Sequence, residues 1–119
     1  MRIVRQVSRT VNNVSVLELN GRFDTYTALE LFTWLDSVTE CQPARVVVNL
    51  SGVSFVDSVA LSALVSSLKR CRSGNGDLYL CCLPQRLQNI FELTRLNRVF
   101  TMFDEESVAI ATLISQTDG

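Results

Sequence analysis

The chain has 119 residues, 11 basic against 12 acidic for a net charge of −1, and an apolar fraction of 47%. This suits one domain, residues 1–119, with a real core, while no basic stripe offers itself to nucleic acid and no apolar run approaches a bilayer span. The absence of histidine excludes Ser-His-Asp and Cys-His relays and the usual histidine metal sites.

The start, Met1-Arg2-Ile3-Val4-Arg5-Gln6, breaks its apolar residues with charge and makes a poor signal peptide, so a cytoplasmic protein is expected. Ile3 to Arg9 and Val14 to Asn20 read as two strands about Asn12-Asn13, residues that tolerate left-handed turn geometry. Gly21 is expected to end the second strand. Tyr26 to Glu40 reads as a helix with Leu29, Phe32 and Leu35 on its apolar face and Thr25 as its cap. Pro43 closes the connection to Arg45–Leu50, a continuous apolar strand suited to the middle of a sheet.

A short loop then leads to a helix over Ser58–Ser73, whose core face carries Leu61, Leu64 and Leu68 while Ser66 and Arg70 project away. Ser58 falls on the margin of that face, near Ser62 and Lys69 in projection. Leu78–Leu83 is a further strand, and Pro84 suits the first turn of a helix through Leu93. Val99–Phe103 and Glu105–Ser115 complete the order β-β-α-β-α-β-α-β-α. The fold class is α/β: a mixed sheet of about five strands packed with about four helices.

Several motifs are excluded. Cys41, Cys71, Cys81 and Cys82 have no Cys-x-x-Cys spacing, and adjacent Cys81 and Cys82 in a strand point to opposite faces, so free thiols rather than a metal site are expected. Ser73-Gly74-Asn75-Gly76-Asp77 leads into a strand and reads as a turn, not a phosphate cradle. Lys69 is the one lysine and sits about three turns beyond Ser58 on a continuous helix. No catalytic base is on offer, so the chain reads as a non-enzyme with no cofactor.

What remains is Asp57-Ser58 at the head of the second helix, where free backbone N–H groups and the positive dipole end favour an added phosphate. Asp24 falls at the other early strand-to-helix junction, and strand C-terminal edges are where such sheets place their sites. Each residue also has a plain structural reading: Ser58 and Asp57 as helix caps, Asp24 as a turn residue. An exposed Val59 beside Ser58 would suit an interface.

Three pieces carry a resemblance over nearly the whole length: Leu19-Asn20-Gly21-Arg22-Phe23-Asp24, Val47-Val48-Asn49-Leu50-Ser51-Gly52-Val53-Ser54-Phe55-Val56-Asp57-Ser58, and Ile90-Phe91-Glu92-Leu93-Thr94-Arg95-Leu96. The chain resembles the STAS domain family, specifically bacterial anti-sigma factor antagonists, and the middle piece is the specific one. The resemblance implies that Ser58 is phosphorylated by an anti-sigma factor that is also a serine kinase. The unphosphorylated antagonist sequesters that kinase, and a serine phosphatase resets the switch. Asp24, Asp57, Ser58, Val59 and Ser62 would face the partner, and ATP and magnesium would belong to the kinase. The chain departs from the family pattern at Val59-Ala60, where a small residue and then glycine are common, and at Arg95, where glycine is frequent.

Two other readings compete. A phosphoaspartate receiver would put its acceptor at Asp57, but it needs an acidic pair near the first strand and a lysine after the fifth, and neither is present. A STAS-type scaffold regulated without phosphorylation is compatible with Val59-Ala60.

Overall fold

Asn12 and Asn13 take φ of 51° and 68°, the left-handed pair that a tight hairpin demands. They fold β1 (Arg5–Val11) back along β2 (Val14–Phe23) as an antiparallel pair. The computed structural model describes residues 5–40 and 43–117, so the expected start of β1 at Ile3 and the thiol of Cys41 lie outside the described residues. After the hairpin the chain alternates: α1 (Thr25–Val38), β3 (Arg45–Val56), α2 (Ser58–Ser73), β4 (Asp77–Cys81), α3 (Gln85–Leu93), a 3-10 turn (Leu96–Arg98), β5 (Thr101–Phe103) and α4 (Glu106–Thr117).

The five strands lie in the order β1-β2-β3-β4-β5, with every pairing after the hairpin parallel. This is the mixed α/β sheet expected from the sequence. Side-chain alternation divides the interior in two. Leu17, Leu19, Val46, Val48, Leu50, Leu78 and Leu80 meet α1, α2 and α3 on one face. Val14, Val16, Val47, Tyr79 and Cys81 meet Ala109, Ile110 and Leu113 of α4 on the other. Strands buried on both faces read as continuous apolar runs, which is why Val46-Val47-Val48 carried no alternation to read.

Two elements differ from expectation in ways that shape the site. Gly21 does not end β2, and Ser51–Val56 is not a loop: both belong to strands that keep pairing out to Phe23 and Val56. Register shifts between Glu18 and Asn20 and between Gly21 and Arg22 absorb extra residues of β3. Gly21 adopts φ of 90° at the second shift, a conformation that costs glycine nothing. At the first, the Asn49 side chain accepts the Ser51 N–H at 2.9 Å and its amide donates to Glu106 of α4 at 3.0 Å.

Of the expected apolar face of α1, Leu35 is buried and Phe32 packs partly buried against the core, but Leu29 does not join them. Thr27, Ala28, Leu31 and Leu35 are buried, whereas Leu29 is 69% exposed. The helix is set by its cap at Asp24, which turns the Ala28-Leu31-Leu35 row inward and leaves Leu29 on the outside. In α2 the inward row is Ala60, Ala63, Leu64, Ser67, Leu68 and Cys71, with Leu61 only partly covered. Among the described residues no helix is long and apolar enough to cross a membrane.

Candidate functional site

Phe23 and Val56 are the last register partners of β2 and β3, so the residues that follow, Asp24 and Asp57, leave the sheet side by side. Each begins a helix. Asp24 caps α1: its Oδ1 accepts the N–H groups of Tyr26 and Thr27 at 3.1 and 3.2 Å, and Thr27 Oγ1 accepts the Asp24 N–H at 2.8 Å. Asp57 caps α2, its Oδ1 accepting the Ala60 N–H at 2.9 Å. These bonds satisfy N–H groups that have no partner within their own helix.

The expected cap of α1, Thr25, is therefore corrected to Asp24. Thr25 is the first helical residue, and it reaches across to the other helix: its N–H and its Oγ1 donate to Asp57 Oδ2 at 2.9 and 3.0 Å. Asp57 thus holds its own helix with one oxygen and the neighbouring helix with the other. In the same way Ser58 is not the cap of α2 but its first residue. Its side chain is exposed and makes no hydrogen bond among the described residues.

Both carboxylates are held in the charged form. For Asp57, partial burial pushes the carboxyl upward, but the Ala60 amide and the Thr25 hydroxyl and amide more than offset it and leave it below the ordinary carboxylate value. For Asp24, burial again acts upward, and the Thr27 amide and hydroxyl, the Tyr26 amide and Arg22 bring it below. Arg22 Nε lies 3.5 Å from Asp24 Oδ2, and its guanidinium stands 3.9 Å over the centre of the Phe55 ring. The rim is acidic at its centre, with one cation at its edge.

Of the residues singled out in the sequence, Asp24, Asp57, Ser58 and Val59 come together here. Val59 is exposed beside Ser58, and Ser62 is exposed one turn along α2. A shallow hollow lined by Leu61, Ser62, Val65, Ser66 and Leu96 opens next to that turn. Sequence reasoning missed the exposed apolar side chains on the elements next to the two junctions. Tyr26 is 84% exposed, and Leu29 and Phe55 are also uncovered. A signal was present: Asp24-Thr25-Tyr26 repeats the acidic, hydroxyl, apolar order of Asp57-Ser58-Val59. Two equivalent helix starts would present equivalent residues.

Chemically, this arrangement offers an unencumbered serine hydroxyl on an acidic rim bordered by exposed apolar side chains. Asp57 already accepts three donors and is no base for its neighbour. Among the described residues, no group of three or more His, Cys, Asp or Glu side chains is placed to hold a metal ion. Cys71 and Cys81 are buried and Cys82 is partly buried, none of the three in a disulfide.

Comparison with known proteins places this geometry in context. The family model described as the STAS domain matches residues 5–109. An anti-sigma-B factor antagonist of Staphylococcus aureus (strain NCTC 8325 / PS 47) is 31% identical over 80 residues, covering 67% of this chain and 74% of that one. In fold, the chain matches a crystal structure of an anti-sigma factor antagonist from Mycobacterium paratuberculosis with a TM-score of 0.81 at 22% identity, over 93% of this chain and 94% of that one. The phosphorylated form of the Bacillus cell fate determinant SpoIIAA matches with a TM-score of 0.70 at 17% identity, over 92% and 98%.

Proposed function

The chain belongs to the STAS domain family, and from that premise we propose that it is an anti-sigma factor antagonist whose binding is switched by phosphorylation of Ser58. In the unphosphorylated state it binds and sequesters an anti-sigma factor that is also a serine kinase. That kinase transfers a phosphoryl group to Ser58, the complex separates, and a serine phosphatase restores the binding form. The chain supplies the acceptor, and ATP, magnesium and the base belong to the kinase. These exchanges take place in the cytoplasm.

The observation that carries this reading is the exposed Ser58 hydroxyl at the head of α2, next in sequence to the exposed Val59, with Tyr26 and Leu29 exposed on α1 and Phe55 exposed near the end of β3. Exposed apolar side chains on the elements that adjoin a polar point suit a protein interface that can be altered chemically. Asp24, Asp57, Ser58, Val59 and Ser62 face the partner, joined by Tyr26, Leu29 and Phe55. The Bacillus protein SpoIIAA, which has this fold, has structures in an unphosphorylated and a phosphorylated form.

The switch acts through charge. A phosphate adds about −1.5 to −2 charge between carboxylates that are already ionised. The α2 dipole favours it by about 0.3–1 kcal/mol at an exposed position, against repulsion from the two carboxylates. A partner that covers the rim must strip water from the added charge, and that desolvation costs several kcal/mol. Binding is lost while the fold stays.

The test is affinity for the kinase in the presence of nucleotide. Ser58→Ala should bind as tightly as the unmodified chain and hold the kinase permanently, whereas Ser58→Asp should bind about tenfold more weakly or worse. Equal binding by all three proteins would favour a scaffold regulated without phosphorylation.

A further inference from the structure

The Thr25 hydroxyl does not cap its own helix. Asp24 caps α1, Thr25 is exposed, and the described hydrogen bond of its hydroxyl is to Asp57 Oδ2, 32 residues away. Two of the three donors on the Asp57 carboxylate come from Thr25. With Oδ2 occupied from α1, Oδ1 is left facing the Ala60 N–H. Ser58 and Val59 are spanned by that bond, so the backbone carrying the Ser58 hydroxyl is pinned at both ends.

We propose that Thr25 is a positioning residue for the Ser58 acceptor, acting through Asp57 to fix the first turn of α2 in the setting that phosphoryl transfer requires. The proposal rests on the reading of Ser58 as acceptor. In the transfer, Ser58 Oγ forms a bond to the γ-phosphorus of the kinase-bound ATP. Its proton passes to a base on the kinase, and the bond from phosphorus to the ADP oxygen breaks. An in-line displacement of this kind is sensitive to small misplacements, with about 1 Å worth on the order of 100-fold in rate. Ser58 makes no side-chain hydrogen bond among the described residues, so its placement depends on the backbone beneath it. That backbone is held by Asp57, and Asp57 by Thr25.

The hydroxyl is separable from the rest of the clasp. Thr25→Val keeps the shape of the side chain and the N–H bond to Asp57 but removes the hydroxyl donor; Thr25→Ser keeps the donor. The bond lies at the exposed rim, so Thr25→Val should lower Tm by no more than about 3 °C.

The experiment measures steady-state phosphorylation of Ser58 with ATP and the kinase that co-purifies with the Ser58→Ala chain. It is accompanied by amide hydrogen exchange on the isolated chain. Thr25→Val should lose about tenfold in kcat with KM changed less than about twofold, and its Ala60 amide should exchange roughly fivefold faster. Thr25→Ser should restore both. A Thr25→Val protein with wild-type kcat, a loss confined to KM, or a Thr25→Ser as defective as Thr25→Val each overturns the proposal. A loss in KM alone would make Thr25 a partner contact instead. If the wild-type chain takes no phosphate, the acceptor reading itself fails and the role of Thr25 with it; a well-phosphorylated wild type beside an equally good Thr25→Val sinks only the role of Thr25.

Discussion

Replacing Asp57 by alanine removes the cap of α2 and the clasp to α1 in one step. The capping bond to the Ala60 N–H is worth about 1 kcal/mol. The two bonds from Thr25 sit at the water-exposed rim and together contribute about 1 kcal/mol more after screening. A loss of about 2 kcal/mol should lower Tm by roughly 8 °C in a domain of this size. The sign of its pH dependence follows from the carboxyl lying below the ordinary 3.8 in the folded protein. A depressed folded pKa stabilises above the unfolded pKa, and that stabilisation is lost as pH falls through the folded one. Urea unfolding followed by far-UV circular dichroism should therefore show the full gap between wild type and Asp57→Ala at pH 7, narrowing below about pH 3.8 as the wild-type carboxyl protonates. A gap under about 0.5 kcal/mol at pH 7, or one that widens on acidification, would refute the clasp as an energetic feature.

Three further outcomes test the frame around the site. A Cβ on Gly76 would lie 1.9 Å from the Ala44 carbonyl oxygen, and backbone cannot step aside cheaply, so Gly76→Ala should cost about 2–3 kcal/mol in urea unfolding. Arg95 ends α3 with φ of 63°, where a side chain is strained, so Arg95→Gly should raise stability by about 0.5–1 kcal/mol despite the freer unfolded chain. Burial pushes the Cys71 thiol up to about 11, with the Asp77 charge adding to the effect. Iodoacetamide at pH 8 should thus leave Cys71 unmodified in the native protein and label it fully in urea, as peptide mapping would show.

Much of this architecture was legible in the chain because its signals were local. Asn12-Asn13 specified a hairpin turn and adopts it, and the α2 boundaries, Ser58–Ser73, follow from its apolar spacing and its acidic cap. Misreadings arose where partners distant in sequence decide. Ser51–Val56 looks like a loop because it alternates weakly, yet β2 pairs with it through two register shifts. Gly21 looks like a terminator because glycine so often is one, yet here its positive φ serves an irregular strand. Of Leu29, Phe32 and Leu35, the last is buried and Phe32 packs partly buried against the core, whereas Leu29 is left outside because Ala28 and Leu31 take the inward row. Ser58, Asp57 and Asp24 were found at the strand-to-helix junctions. The bond from Thr25 to Asp57 has no sequence signature, since it joins residues 32 apart. Nor does composition reveal that Tyr26 and Leu29 face water.

The central claim is that the Ser58 hydroxyl accepts a phosphoryl group in the cell. Intact mass and peptide mapping of the protein isolated from its own cells, with phosphatases blocked, test it most directly. The account predicts a chain carrying one phosphoryl group on the peptide that contains Ser58, and none in cells expressing Ser58→Ala. A protein that stays unmodified at Ser58 through growth and stress would contradict it, leaving the STAS fold in place without its proposed switch.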